Sequence, residues 1–291
     1  MNNFLFWYQH LPLNLGPTAF RVGSFSIGWY ALMYLVGFAI VFLLLVYRIK
    51  KQESHSIFSR FPFPASRNLV LDFLFYALLG VLVGGRLGYA LFYNLSYYIA
   101  NPLEIVSPFS SSGQFVGIYG MSYHGGAIGV FVATIFFLKK YKLNFWSWAD
   151  FVVPAIPAGY FFGRIGNFLN GELYGRTTES FLGMYFPDDP FHLRHPSQLY
   201  EAFLEGVIVF LVLWFFRNKK KWQGKFLGIY FVSYSIARFV AEFFREPDAH
   251  LGYAFDFFTR GQIFSLIMLI VGIKLLFKKI KIGYNIESEK T

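Results

Sequence analysis

Residues 22–47 read VGSFSIGWYALMYLVGFAIVFLLLVY, a run of 26 without a charged side chain. About 20 largely apolar residues in a helix cross the hydrocarbon core of a bilayer. A second uncharged run, residues 105–138, is 34 long. Charged residues make up 14% of the chain, where a globular protein carries about 25%. The deficit points to a solvent that charges avoid, and predicts an all-α integral membrane protein. Working outward from the first run gives seven predicted transmembrane helices: 25–47, 69–93, 119–138, 149–166, 198–216, 226–244 and 261–277. The earliest charge is Arg21. With no basic segment ahead of it, the first span is expected to be a true span and not a signal peptide.

The basic residues orient these spans. Arg48, Lys50, Lys51, Arg60 and Arg67 flank one connection, and Lys139, Lys140 and Lys142 the next on that side. Arg217, Lys219, Lys220, Lys221 and Lys225 follow, then Lys274, Lys278, Lys279, Lys281 and Lys290. These are 18 of the 26 basic residues and include every Lys. They fall on alternate connections and the C-terminus, which the positive-inside rule places in the cytoplasm. The N-terminus is then expected outside, with ordered outward loops at 94–118, 167–197 and 245–260. The formal charge of +10 therefore reads as a topology signal with affinity for anionic lipid, and no nucleic-acid partner is invoked. Neither a tandem repeat nor a low-complexity linker interrupts the chain, so one polytopic membrane domain over 1–291 is expected.

There is no cysteine, which excludes disulfides, thiolate metal sites and a Cys nucleophile belonging to the chain. The informative residues are charges inside spans, since each costs about 2.5–3.5 kcal/mol on insertion scales. Arg86 lies in Gly84-Gly85-Arg86-Leu87-Gly88, Arg164 at the outward end of the fourth span, Glu201 and Glu205 in the first turns of the fifth, and Arg238 and Glu242 in the outward half of the sixth. All sit toward the outer side, which suggests one polar cavity open to the outer leaflet. Structural readings stand beside the functional ones. Arg238 and Glu242, four apart, suit an ion pair. Arg164 suits a helix C-terminus, and Glu201 the first turn of a helix begun by Pro196. Arg86 suits a packed interface where it bonds carbonyls, and Glu205 reads as structural. His124, in Ser122-Tyr123-His124-Gly125-Gly126, is the one His within a predicted span and suits a general base near neutral pH. His192 and His195 lack a metal-binding frame, so no metal is expected.

The densest constellation is Gly163-Arg164-Ile165-Gly166-Asn167-Phe168-Leu169-Asn170-Gly171-Glu172-Leu173-Tyr174-Gly175. A guanidinium offers a planar fork to phosphate; Asn167 and Asn170 can bond hydroxyls or ester carbonyls, and Glu172 can accept from a polyol. That set suits a lipid headgroup with one phosphate and free hydroxyls. At this motif the sequence closely resembles the bacterial prolipoprotein diacylglyceryl transferases, whose signature positions are all present between Gly163 and Gly175. Trp29-Tyr30 with Leu32-Met33-Tyr34-Leu35, Gly84-Gly85-Arg86, Tyr123-His124-Gly125-Gly126, Arg194-His195-Pro196-Ser197-Gln198-Leu199-Tyr200-Glu201 and the stretch from Arg238 to Asp248 agree as well. Ala31, Glu246 and His250 depart from the commoner residues.

The resemblance implies seven spans with the N-terminus outside, in the bacterial cytoplasmic (inner) membrane, with the active site toward the outer leaflet. It implies transfer of the diacylglyceryl group of phosphatidylglycerol to the lipobox cysteine of a prolipoprotein signal peptide. The products are a thioether and glycerol 1-phosphate, in the first step of lipoprotein maturation. The matching family residues are Tyr30, His124, Arg164, Asn167, Glu172, Gly175, Glu201, Tyr234, Arg238 and Glu242. His124, Arg164 and Arg238 are the expected catalytic residues. Tyr30, Arg86, Asn167, Asn170, Glu172, Gly175, Glu201, Tyr234 and Glu242 are expected to bind substrate. No cofactor is implied. A transporter or lipid flippase with an outward polar cavity is the alternative, but it lacks an internal repeat between chain halves and a relay of charges to the inner face.

Overall fold

The computed structural model describes residues 3–23, 25–51, 66–107, 120–246, 253–254 and 258–278. Arg60, Lys279, Lys281, Lys290, Asp248, His250, residue 119 at the start of the third predicted span, and parts of the 94–118 and 245–260 loops lie outside them. The chain forms two compact units, Met1–Arg60 with Trp146–Thr291, and Phe61–Phe145.

In the first unit a short helix α1 (Asn3–Gln9) precedes an antiparallel hairpin of β1 (Thr18–Val22) and β2 (Phe25–Gly28). Gly23 turns it at φ +61°, a conformation that costs a glycine little. Trp29 N donates to Pro17 O at 3.0 Å, so the first span begins later than residue 25. The helix there, α2, is Trp29–Lys50. At about 1.5 Å per residue its 22 residues exceed the hydrocarbon thickness. Arg48 and Lys50 close its last turn, where cations suit the helix dipole.

The second unit contains α3 (Arg67–Phe92), α4 (Leu95–Ala100) and α5 (Tyr123–Lys140). Ser66 caps α3 by accepting from Leu69 N at 3.1 Å, and Ser122 caps α5 by accepting from Gly125 N at 3.1 Å. The two long helices meet along Gly80, Gly84 and Gly88 facing Gly125 and Gly129. A Cβ on Gly80 would stand 2.8 Å from the Gly129 carbonyl carbon, and one on Gly88 2.6 Å from Gly125 Cα. Small residues at four-residue spacing let helix backbones touch, the usual basis of association in lipid.

Returning to the first unit, α6 (Phe145–Val152) leads through a 3₁₀ turn at Val153–Ala155 into α7 (Ile156–Leu169). Pro154 and Pro157 remove donors there and account for the interruption. A hairpin of β3 (Met184–Phe186) and β4 (Asp189–Arg194) follows. Helix α8 (Ser197–Phe216) contains a π turn over Ala202–Ile208. Its Gly206 meets α7 closely, since a Cβ there would be 2.8 Å from Phe161 Cβ. Helix α9 (Phe226–Ala241) starts on the buried Asp150, whose carboxylate accepts from Gly224 N and from Phe226 N at 3.2 Å. The final helix, α10 (Arg260–Phe277), opens with a capping box between Thr259 and Gln262.

Among the described residues, α2, α3, α8 and α10 are long and apolar enough to cross a membrane. Their outer faces carry large apolar side chains in the open: Leu35 is 64% exposed, Phe75 58%, Phe215 68% and Phe264 59%. Water would penalise such contiguous apolar surface, whereas lipid solvates it. The protein is a helical membrane protein.

Candidate active site

The signature begins as the last turns of α7 and ends as the loop after it. Gly171 N donates to Phe168 O at 3.0 Å and Glu172 N to Asn167 O at 3.1 Å. These two bonds form a Schellman stop, with Gly171 in the left-handed position at φ +71°. The stop folds the chain back so that Glu172 faces Asn167, and Asn167 Nδ2 donates to Glu172 Oε1 at 2.8 Å. Leu173, at φ +58° without being glycine, sits in a conformation that costs about 1–3 kcal/mol. Bonds on either side impose it: Gln198 Nε2 donates to Glu172 O at 2.6 Å, and Ser197 Oγ to Leu173 O at 3.0 Å.

Gly175 is tied into backbone. Its N–H donates to His195 O at 2.8 Å, and the next residue, Arg176, donates to Phe244 O at 3.0 Å. A Cβ at Gly175 would collide with Phe244 O and stand 3.0 Å from His195 Cβ. The glycine is therefore required by close packing of three chain segments. Gly166 plays a similar part between helices, since a Cβ there would be 3.3 Å from Tyr30 Cα. Tyr30 thus stands beside the signature, its hydroxyl donating to Tyr34 Oη at 2.9 Å.

Behind the signature lies a cluster of buried charge. Glu201 is fully buried and accepts from three arginines. Arg164 Nη2 and Arg238 Nη1 both reach its Oε2 at 2.8 Å, and Arg245 Nη1 reaches Oε1 at 3.4 Å. Glu205, also fully buried, accepts from Arg238 Nη1 at 3.4 Å and from the Tyr160 hydroxyl at 2.5 Å. Arg238 Nη2 bonds Glu242 Oε1, and Thr259 Oγ1 donates to Glu242 Oε2 at 2.8 Å. Arg164 Nη1 donates to Asn167 Oδ1 at 3.3 Å, joining the cluster to the signature. Tyr234 packs edge-on against Tyr160, ring centroids 5.9 Å apart.

Three arginines and three glutamates balance in charge, which is how charges persist in apolar surroundings. The Glu201 carboxylate has no surface of its own and is reached only through its arginines. The arginine side chains keep 14–16% of their surface, enough for an anion to touch them. Asn170 Oδ1 and Gln198 Oε1 are buried without a hydrogen-bond partner among the described residues, so both suit a hydroxyl donor. Outside the spans, burial holds the His195 imidazole below its ordinary pKa, favouring the neutral ring.

Arg86 and His124 belong to the second unit. Arg86 Nε donates to Ile105 O at 2.7 Å, and its Nη atoms donate to Glu104 O at 2.6 Å and Gly120 O at 3.3 Å. Its guanidinium covers Tyr98, 5.0 Å from the ring centroid. This is the carbonyl-bonded interface arginine, fastening the connection after α3. His124 lies in the first turn of α5 with an exposed side chain.

Sequence reasoning left out Tyr160 and Arg245 and set Glu205 apart as structural. For Tyr160 and Glu205 the spacing carried a signal. Tyr160 is four before Arg164 and Glu205 four after Glu201, which places each on the same helical face as a residue already singled out; Arg245 lies past the end of α9, in an antiparallel bridge to Gly175.

A helical membrane protein that gathers compensated charge beneath an arginine-bearing loop belongs among membrane proteins that act on polar groups at the bilayer. The family model of prolipoprotein diacylglyceryl transferase matches residues 17–278. The chain belongs to that family. It is 46% identical over 280 residues to the phosphatidylglycerol–prolipoprotein diacylglyceryl transferase of Chlorobaculum tepidum, covering 95% of this chain and 94% of that protein. Proteins of the same name from Rickettsia bellii and Campylobacter jejuni are 44% and 42% identical. Those alignments cover 91% and 95% of this chain, and 95% and 99% of the relatives.

Proposed function

We infer that this chain transfers the diacylglyceryl group of phosphatidylglycerol to the lipobox cysteine thiol of a prolipoprotein. The observation that carries the reading is the joining of signature residues Arg164, Asn167 and Glu172 to Arg238 and Glu242 through one buried carboxylate, Glu201.

The thiol sulfur bonds to C3 of the glyceryl group as the C3–O bond breaks. The bonding pair leaves on the phosphate oxygen, releasing glycerol 1-phosphate, and the thiol loses its proton. Arg164 and Arg238, held side by side on Glu201 Oε2, supply fixed positive charge where the leaving group gains negative charge. Such preorganised donors act strongly in a dry site. Asn167, Asn170 and Glu172 hold headgroup hydroxyls, with Tyr30 and Tyr234 beside them. Gly175 and Glu201 keep the donors in place. His124 is assigned the thiol proton on the strength of its motif. A free thiol has a pKa of about 8.5 and is mostly protonated at neutral pH. Arg86 holds the connection after α3 and acts on substrate only through it.

The chain crosses the bacterial cytoplasmic membrane seven times. Its N-terminus is outside, its C-terminus is inside and the site faces the outer leaflet, following the distribution of Lys and Arg. The decisive experiment supplies purified protein with phosphatidylglycerol and a lipobox peptide. A peptide heavier by one diacylglyceryl group, with stoichiometric glycerol phosphate release, is expected. Unmodified peptide in the presence of folded protein would refute the reading.

A further inference from the structure

Beyond the arginines themselves, the buried cluster closes on itself as a ring. Arg164 Nη2 bonds Glu201 Oε2 at 2.8 Å, and the same oxygen accepts from Arg238 Nη1 at 2.8 Å. Arg238 Nη1 also reaches Glu205 Oε1 at 3.4 Å. The other oxygen of Glu205 accepts from the Tyr160 hydroxyl at 2.5 Å, and the Tyr160 oxygen accepts from Arg164 Nε at 2.7 Å. The circuit runs through α7, α8 and α9, with two members each from the first two helices.

We propose that Tyr160 and Glu205 are positioning residues that hold the Arg164 guanidinium in register with Arg238 by closing this ring from the side away from the signature. The proposal deepens the transferase reading and rests on it. The geometry supports it in three ways. Arg164 is held on one side by Nη2 on Glu201 and by the longer 3.3 Å bond from Nη1 to Asn167, and the 2.7 Å bond at Nε anchors the opposite edge and fixes its plane. Tyr160 also lies beneath the fork, with Arg164 Cζ 5.1 Å from its ring centroid, which restrains tilt. Finally, the Tyr160 hydroxyl can serve both neighbours at once, donating to Glu205 while accepting from Arg164. A bare carboxylate in its place would add a charge and upset the balance of the cluster; a Phe would leave Nε with nothing there.

The variant is Tyr160→Phe, which keeps the ring and its edge contact with Tyr234 and removes one oxygen. Displacement of a charge-stabilising group by a fraction of an ångström to 1 Å costs up to about 100-fold in rate. The expected result is kcat for diacylglyceryl transfer lower by about 10- to 100-fold, with KM for phosphatidylglycerol within about twofold of wild type. The same substitution is then made on Arg164→Lys. An ammonium has no Nε donor, so the hydroxyl has nothing left to orient and its removal should change the residual rate by less than about twofold. Glu205→Gln, which breaks the ring at its other member without shortening a side chain, should behave likewise in both backgrounds, and serves alone if the Phe variant fails to fold. A wild-type kcat in either single variant would overturn the proposal. So would an equal factor of loss in the wild-type and Arg164→Lys backgrounds, since independent effects multiply. The cycle is also read on the thermal midpoint, where Tyr160→Phe and Glu205→Gln should be non-additive if the ring exists. Wild-type protein that makes no thioether would instead sink the transferase reading, and the midpoint cycle would still judge the ring.

Discussion

Replacing Glu201 by Gln removes one negative charge from a cluster that has three arginines and three glutamates, leaving a net positive charge in a fully buried place. The amide oxygen can take the position of Oε2 and keep both 2.8 Å contacts to Arg164 and Arg238. The donors stay charged, so both bonds remain charge-assisted, but the attraction of a carboxylate for its two guanidinium groups is lost. The amide NH₂ then faces Arg245 Nη1, now 3.4 Å from Oε1, donor against donor. Together these place the cost near the low end of the about 3–5 kcal/mol found on breaking a buried pair. The variant should melt earlier in detergent. It should turn over about 10- to 100-fold more slowly because the two arginines lose their charged anchor. Phosphatidylglycerol should bind no more weakly, since the surplus charge attracts phosphate. Thermal unfolding and steady-state kinetics on one preparation decide the matter. An unchanged midpoint together with wild-type kcat would remove Glu201 from the centre of the site.

Gly175→Ala should lower stability by about 1–3 kcal/mol through overpacking against Phe244 and His195, and activity should fall with it. A fully stable but inactive protein would show instead that the glycine touches substrate. Simultaneous replacement of Arg238 by Met and Glu242 by Leu keeps the remaining charges balanced, so the protein should fold and yet make no thioether; recovered activity would reduce the pair to a structural one. For His124→Gln the loss of rate should be larger at pH 6.5 than at pH 9, where the substrate thiol ionises unaided. A flat ratio of variant to wild type would end the base assignment. In the β3–β4 hairpin, hydrogen bonds from His192 and Arg194 hold Asp189 below the usual carboxylate range. A depressed pKa contributes stability that is present above the unfolded value of about 3.9 and lost as pH falls through the folded one. Proteolysis of the hairpin should therefore accelerate on acidification, and Asp189→Asn should abolish that dependence.

Hydropathy located the helical segments because lipid-facing surface and interior are both apolar along α2, α3, α8 and α10. It misplaced the first boundary, since Phe25–Gly28 is as free of charge as the helix it precedes, and what sets it apart is its pairing with Thr18–Val22. The π turn and the 3₁₀ break left little trace in composition, although Pro154 and Pro157 marked the latter. For the site, the residues that face substrate in the proposed reading were legible because charges inside spans are costly and few. Tyr160 was not, because tyrosine is abundant in this chain and carries no charge to single it out. Arg245 lay just beyond a span, where an arginine needs no explanation. Arg86 looked the same in sequence as Arg164, but nearby backbone carbonyls take up its donors; only folding reveals which oxygens come near.

The π turn at Ala202–Ile208 gives α8 one residue more than regular winding would need. Removing one residue would let the stretch rewind as ordinary helix, with Ser197–Glu201 and the residues after Ile208 keeping their present faces. Val209 and Leu213 would stay packed beside Phe226 and Ala237, and Glu201 among its arginines. Phe203, 55% exposed, can drift among apolar residues at little cost. The two ends of the helix would thus survive a one-residue gap; what the surplus residue sets is the aim of Glu205, inside the turn, at Arg238 and Tyr160.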